Sequence, residues 1–265
     1  MELGISTLPF FGASTLEEAI DRCAAYGFRK IEIMCEGPQA NPEEFSPQRR
    51  ADLVRRAEDL GVQYLIHAPI ADINLMSHNA GIRAEAQRQL VEAIRFTSEV
   101  RAKRMVFHVG GKPYMGLYDF EQGYIHGIAA LEKVVRAAET YGVRLLMEND
   151  PNKFGLGAIT VDACKRFLDA YPGRLGFLLD VGHAFMLGDD AVESFCREFG
   201  PILGGVHFSD NHRERDEHLG LGKGAMNVRE TVEALKRANY TDEAILEVKY
   251  ESDIVSSISC LNAFP

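Results

Sequence analysis

The sequence predicts an α/β fold made of a single (β/α)8 barrel. Three observations carry that expectation: a strand–helix unit repeated eight times, a chain length that one such barrel fills, and a glycine that recurs between a helix and the next strand. The 265 residues match the roughly 250 that this architecture uses as one domain. Hydrophobic residues make up 46% of the chain and charged residues 26%, enough apolar material for a large core and unlike the composition of a disordered chain. No linker or low-complexity stretch divides residues 1–265, so one domain is expected throughout.

The apolar and β-branched runs place strands near Leu3–Ser6, Ile31–Met34, Tyr64–His67, Met105–His108, Leu145–Glu148, Phe177–Asp180, Val206–Ser209 and Ile245–Val248. Between them the apolar spacing becomes helical. Leu16, Ala19, Ile20 and Cys23 share one face of a helix over 16–26, Leu90, Ala93 and Ile94 mark a second, and Ile128, Leu131, Val134 and Val135 a third. Gly27, Gly61, Gly142, Gly173 and Gly200 each stand where a helix should end, the place where a left-handed residue closes the last turn. Strands alternating with helices form parallel sheets through right-handed crossovers, and eight such units close on themselves. The competing arrangement, an open doubly wound sheet, is disfavoured because no Gly-x-Gly-x-x-Gly follows the first strand.

Several classes of protein are set aside early. No run approaches the roughly 18 apolar residues of a membrane span, and the first residues lack a basic region followed by an apolar core. Cys23, Cys35, Cys164, Cys196 and Cys260 are odd in number and form no C-x-x-C pair. A reducing cytoplasm is therefore expected, without disulfides or thiolate metal ligands. A net charge of −10 argues against long polyanions such as nucleic acid as partners.

In a barrel of this kind chemistry gathers where the strands end. Strands three to eight finish on His67, His108, Glu148, Asp180, His207 and Glu247, every one able to ligate a metal. A lone histidine there is more often a hydrogen-bonded core residue, but six donors in consecutive units point to a divalent-metal site. Oxygen and imidazole donors without thiolate suit Zn²⁺, Mn²⁺, Co²⁺, Mg²⁺ or Fe²⁺ alike. His183 follows Asp180 by three residues, and Asp216 and His218 alternate in a loop after strand seven. The glycine-rich stretch Gly220–Gly224 beyond them is expected to shape the mouth and to present backbone N–H groups to an anionic substrate. It is no Walker loop, because no Ser or Thr follows Lys223. His126, inside a helical pattern, is expected to pack or to face solvent. Lys112, Lys153 and Lys223 are anion contacts at most and are more often simply solvated.

These motifs, in order, are His67-Ala68-Pro69, Phe107-His108-Val109-Gly110, Met147-Glu148-Asn149 and Leu179-Asp180-Val181-Gly182-His183. Val206-His207-Phe208-Ser209-Asp210-Asn211, Asp216-x-His218-Leu219-x-Leu221-Gly222-x-Gly224 and Leu246-Glu247 complete them. Across essentially its whole length the chain resembles the xylose isomerase-like barrels, which include sugar isomerases, sugar epimerases and endonuclease IV-type repair enzymes. The resemblance to the epimerases implies one divalent ion held by Glu148, Asp180, His207 and Glu247. Glu148 and Glu247 would also exchange protons with opposite faces of a carbohydrate through a metal-stabilised enediolate. Arg213 then stands near the position of a substrate-contacting arginine in some ketose epimerases, although Phe154 occupies the place of a glutamate those enzymes share. With one ion, His67, His108, His183, Asp216 and His218 would surround it and bind substrate hydroxyls.

The resemblance to endonuclease IV implies a second possibility, a three-zinc enzyme that cleaves DNA at abasic sites, using all nine of these residues as ligands. Two departures weigh against it. Ser209-Asp210-Asn211-His212 stands where the repair enzymes share a lysine-containing segment. The loop of residues 70–81 has no Phe, Tyr or Trp to wedge into DNA. A metal-binding barrel without catalysis is the third possibility, and the presence of both Glu148 and Glu247 argues against it. The sequence thus points to a metal-dependent isomerase or epimerase.

Overall fold

Eight short parallel strands pair in sequence order and close into a ring, β1 against β8. The computed structural model describes residues 1–37, 40–111, 120–153 and 155–264. The strands are β1 (Glu2–Ser6), β2 (Lys30–Met34), β3 (Gln63–His67), β4 (Arg104–Phe107), β5 (Arg144–Glu148), β6 (Leu175–Asp180), β7 (Leu203–Phe208) and β8 (Glu243–Leu246). Around them run α1 (Leu16–Ala25), α2 (Pro47–Leu60), α3 (Ala80–Glu99), α4 (Phe120–Tyr141), α5 (Val161–Leu168), α6 (Val181–Phe185), α7 (Ala191–Phe199), α8 (Val228–Arg237) and α9 (Ile254–Asn262). Thr15, Ser46, Asn79, Thr160 and Asn227 start five of these helices by accepting a backbone N–H on the side chain. Each such cap contributes about 1 kcal/mol. No helix among the described residues is long and apolar enough to cross a membrane.

The (β/α)8 expectation holds, with local corrections. β4, β7 and β8 end one or two residues before the apolar runs do, so His108, Ser209 and Glu247 follow strands rather than belong to them. The backbone there still makes single bonds, such as Glu247 N–H to Phe208 O at 2.9 Å, but no longer continues the ladder. Gly27, Gly61, Gly142 and Gly173 are left-handed, with φ from +63° to +91°. Gly200 is not: at φ −45° it opens a 3₁₀ turn over Gly200–Ile202, a geometry Pro201 favours.

Two separate apolar regions result among the described residues. The larger lies between the strands and the helix ring. Inside the barrel, Val106, Leu146 and Leu178 form a small cluster of their own. The period-two alternation of a strand puts Arg104, Arg144 and Glu243 below this plug, and His108, Glu148, Asp180 and Glu247 above it. Gly204 makes room for it, since a Cβ there would lie 2.8 Å from Leu146 Cδ2 and 2.9 Å from Arg144 Cζ. The plug is the floor on which the polar mouth stands.

In the outer layer Phe177 of β6 is fully buried, its ring 4.5 Å from Phe199 and 5.7 Å from Phe195, centroid to centroid. Phe177→Ala is expected to destabilise the barrel by about 3–5 kcal/mol, read as a lower urea midpoint with an unchanged slope.

Candidate metal centre

Neighbouring strand ends are tied to one another before any side chain reaches the mouth. Asn149, just after β5, accepts the N–H of Asp180 at 2.8 Å and donates to its carbonyl at 3.0 Å, so β5 and β6 finish in fixed register. Asp180 caps α6, its Oδ1 accepting the N–H of His183 at 2.6 Å, which leaves Oδ2 facing the mouth. His218 is held with φ at +48°, a costly conformation for a side chain that is not glycine, with its carbonyl accepting from Lys249 N at 2.8 Å.

Eight of the nine candidate ligands fall into three groups, two of which overlap, and His108 stands against Glu148 beside them. Glu148, Asp180, His207 and Glu247 are all buried, with ligand atoms within 4.8 Å of one another; His67, Glu148 and His207 form a second such set, and His183, Asp216 and His218 a third. Glu148 belongs to two of them. Its Oε2 lies 3.1 Å from His67 Nε2 and 3.2 Å from His108 Nε2, and its Oε1 lies 3.3 Å from His207 Nδ1. Asp216 Oδ2 is likewise 3.1 Å from His183 Nε2 and 3.0 Å from His218 Nε2.

The far nitrogen of four of these rings is already committed. Nδ1 of His67, His183 and His218 lies 2.8, 2.8 and 3.0 Å from the carbonyls of Ala68, Asn149 and Glu247, and Nδ1 of His108 lies 2.8 Å from Asp150 Oδ1. These oxygens only accept, so Nδ1 carries the proton in each neutral ring. The Nε2 lone pairs then point at the carboxylates of Glu148 and Asp216, an arrangement that repels unless a cation or a proton lies between. Asp180 Oδ2, Asp216 Oδ1 and both nitrogens of His207 are buried without a hydrogen-bond partner among the described residues, and a buried polar atom so placed is costly. A divalent cation answers both problems, and the donors suit one: carboxylate oxygens and neutral imidazoles held from behind.

The titration of the cluster reflects the same surplus of negative charge. Burial opposes a charge on His108, but Glu148 and Asp150 outweigh it and raise its pKa to about 10. Burial opposes a charge on His218 too, and Asp216 with Glu247 raises it to about 9. Asp180 is pushed up to about 6 by burial, against the pull of His183. Glu148 is also disfavoured by burial, yet His207 and His108 hold it well below the usual carboxylate range.

The glycine-rich loop corrects an expectation. Its N–H groups are not free for a substrate anion: Gly220 donates to Asp253, Leu221 to Ser257, Gly222 and Gly224 to Asp210, and Lys223 to the Gly220 carbonyl. Asp210 also accepts from Asn211 and Met226, so one buried carboxylate gathers four backbone donors at 2.8–3.0 Å. Buried backbone donors are nearly always paired within the protein. Asp210→Ala is expected to cost about 1–3 kcal/mol or more and to speed amide hydrogen exchange at Gly222, Gly224 and Met226, while amides in β2 stay protected.

The remaining candidates lie at the rim. Arg213 has a φ of +73°, pairs with Asp189 and lies 4.2 Å over the Phe185 ring. His212 is bound to Glu217 at 2.8 Å, and Lys223 to Asp253 at 2.6 Å. His126 packs beside His78, with centroids 5.4 Å apart. Lys112 and Phe154 lie outside the described residues. Sequence reasoning missed Glu32 and Asp150. Asp150 holds His108 from behind, and Glu32 of β2 sits inside the barrel, 1% exposed. The signal for Glu32 was parity: Lys30, Glu32 and Met34 share the inward face of β2, where a carboxylate in mid-strand is out of place.

Fold and site together define a (β/α)8 barrel with a candidate divalent-metal centre at its C-terminal mouth. The chain belongs to the xylose isomerase-like TIM barrel family, whose model matches residues 20–263. It is 30% identical to the uncharacterized protein MJ1311 of Methanocaldococcus jannaschii, over 100% of this chain and 89% of that one. A probable endonuclease 4 of Aquifex aeolicus is 27% identical over 64% of each chain. Among solved structures, a D-tagatose 3-epimerase-like protein superposes with a TM-score of 0.91 at 28% identity, covering 100% of this chain and 97% of the other.

Proposed function

We propose that the chain is a divalent-metal-dependent isomerase or epimerase of a sugar or sugar phosphate, with Glu148 and Glu247 as the proton-transferring pair. The observation that carries this reading is the buried four-residue group in which those two glutamates flank Asp180 and His207. A divalent ion held there would acidify a C–H next to a carbonyl and stabilise the negative charge left behind. Glu148 and Glu247 supply what such chemistry needs from the protein: two carboxylates held ionised in a buried site, one to take a proton and one to return it. Burial opposes the charge on both, and His207, whose Nδ1 lies 3.3 Å from Glu148 and 3.0 Å from Glu247, outweighs it and keeps them ionised. Arg213 at the rim is the proposed contact for a substrate oxygen, and the resemblance of the fold to the solved structure of an epimerase-like protein supports the carbohydrate class.

A second reading has a specific observation in its favour. Glu148 turns one oxygen to His67 and His108 and the other to His207, and His183, Asp216 and His218 form a group of their own. Donors divided in this way suit more than one ion, and three would favour phosphodiester hydrolysis of the endonuclease IV kind, a relative of which matches this chain. The test is bound metal per chain after loading, followed by assays on a panel of sugars and sugar phosphates beside an abasic DNA duplex. About one ion per chain with turnover of a sugar is the expected result. A value near three that falls in His108→Ala or His218→Ala, together with EDTA-sensitive incision of the duplex, would overturn it.

A further inference from the structure

We propose that Glu32 is a positioning residue for the metal centre, fixing the His207 imidazole so that Nε2 carries the proton and Nδ1 faces the ion. The proposal rests on the reading of Glu148, Asp180, His207 and Glu247 as metal ligands. Glu32 and His207 are 1% and 0% exposed. Glu32 Oε1 lies 3.1 Å from His207 Nε2, and neither atom has a hydrogen-bond partner among the described residues: they are near enough to bond but not aligned. Two buried polar atoms left facing each other in that way are costly apart and favourable together.

The surroundings leave each atom few other choices. Glu32 shares the barrel interior with Val106, Leu146, Leu178 and Ile245, none of which can donate a hydrogen bond from its side chain. Arg104, at the bottom of the same space, is paired with Glu243 and donates to the Gly204 carbonyl. On the other side of the ring, Nδ1 lies 3.0 Å from Glu247 Oε2 and 3.3 Å from Glu148 Oε1, where the ligand oxygens converge. A proton on Nε2, held by Glu32, leaves the Nδ1 lone pair directed at that point. A carboxylate behind a ligand histidine fixes its tautomer and raises its basicity, and loss of such a partner typically lowers metal affinity about 10–100-fold. β2 thus contributes to the centre from mid-strand and from beneath, without offering a ligand.

The experiment is a zinc titration against a competing chelator with the full-length wild type, Glu32→Leu and Glu32→Gln, each checked for a native melting transition. Glu32→Leu is expected to bind zinc about 10–100-fold more weakly. Glu32→Gln, whose amide oxygen still accepts from Nε2–H, is expected to lose less. A second measurement needs no variant: in zinc-loaded wild type, ¹⁵N spectra of the histidine rings should show His207 protonated at Nε2 and metal-bound at Nδ1. Variants that fold and bind within twofold of wild type, or a His207 bound through Nε2, would overturn the role of Glu32 while leaving the ligand set standing. A wild type that takes up no divalent ion would defeat the ligand reading and this proposal together.

Discussion

Glu148→Gln is expected to strip the centre of metal and abolish turnover in one step. The substitution keeps the volume of the side chain but removes the charge that four imidazoles face, from His67 and His108 on one oxygen and His207 and, at 3.7 Å, His183 on the other. It also places an amide N–H donor where one of those oxygens stood. An ion entering such a site would meet a neutral ligand and a misdirected hydrogen. Loss of a positioned proton-transfer group alone typically costs about 10²–10⁴ in rate, and loss of the ion adds to it. Glu247→Gln should slow turnover over the same range yet retain more metal, since Glu247 faces His207 and, at 4.0 Å, His218, but not His67 or His108. Metal content by elemental analysis, and incorporation of solvent deuterium into substrate carbon, separate the two. Stoichiometric metal in Glu148→Gln would remove it from the ligand set.

Metal uptake near pH 7 is expected to release protons, so that affinity climbs as the pH is raised. In the metal-free chain His108 and His218 titrate at about 10 and about 9, and His183 and His207 lie well above the ordinary 6.5, each because neighbouring carboxylates outweigh burial. A protonated His207 has no lone pair for an ion and must first lose its proton, and the charge of the ion drives protons from the histidines around it. The sign for stability follows from the same shifts. A histidine with its folded pKa raised stabilises the fold fully below about 6.5, and that contribution fades as the pH rises through 9 to 10. Asp216 is disfavoured by burial but held low by His183 and His218; its contribution is present above its ordinary 3.8 and is lost in acid. The metal-free chain should therefore melt at lower temperature at pH 10 than at pH 6.5, and the gap between loaded and metal-free melting temperatures should widen over that interval. Zinc uptake at pH 7 without proton release, measured in buffers of different ionisation enthalpy, would contradict this.

Much of this molecule was legible in one chain because a barrel is a repeat. Period-two strands and period-3.6 helices announce themselves locally, and a carboxylate or histidine closing an apolar run, as Glu148 closes Leu145–Met147, stands out. Strand ends were less certain at His108 and Glu247, where the chain leaves the ladder while still extended. Glu32 was hidden, because Ile-Glu-Ile reads equally well as a half-exposed strand until the neighbours of its inward face are known. Asp150 was hidden because its meaning lies in a contact with His108, 42 residues away. The glycine-rich loop misled for a related reason: composition marks a free backbone, but which acceptors claim its N–H groups is settled by Asp210 and Asp253, from other parts of the chain.

That loop bears on how fast ligands arrive and leave. With its donors already bound to Asp210, Asp253 and Ser257, the rim over residues 220–226 loses its conformational freedom when the chain folds and not when a ligand binds. A molecule reaching this side of the mouth meets a finished wall. Its capture rate is then set by diffusion and orientation, and differences in affinity among related ligands on this wall should appear as differences in residence time.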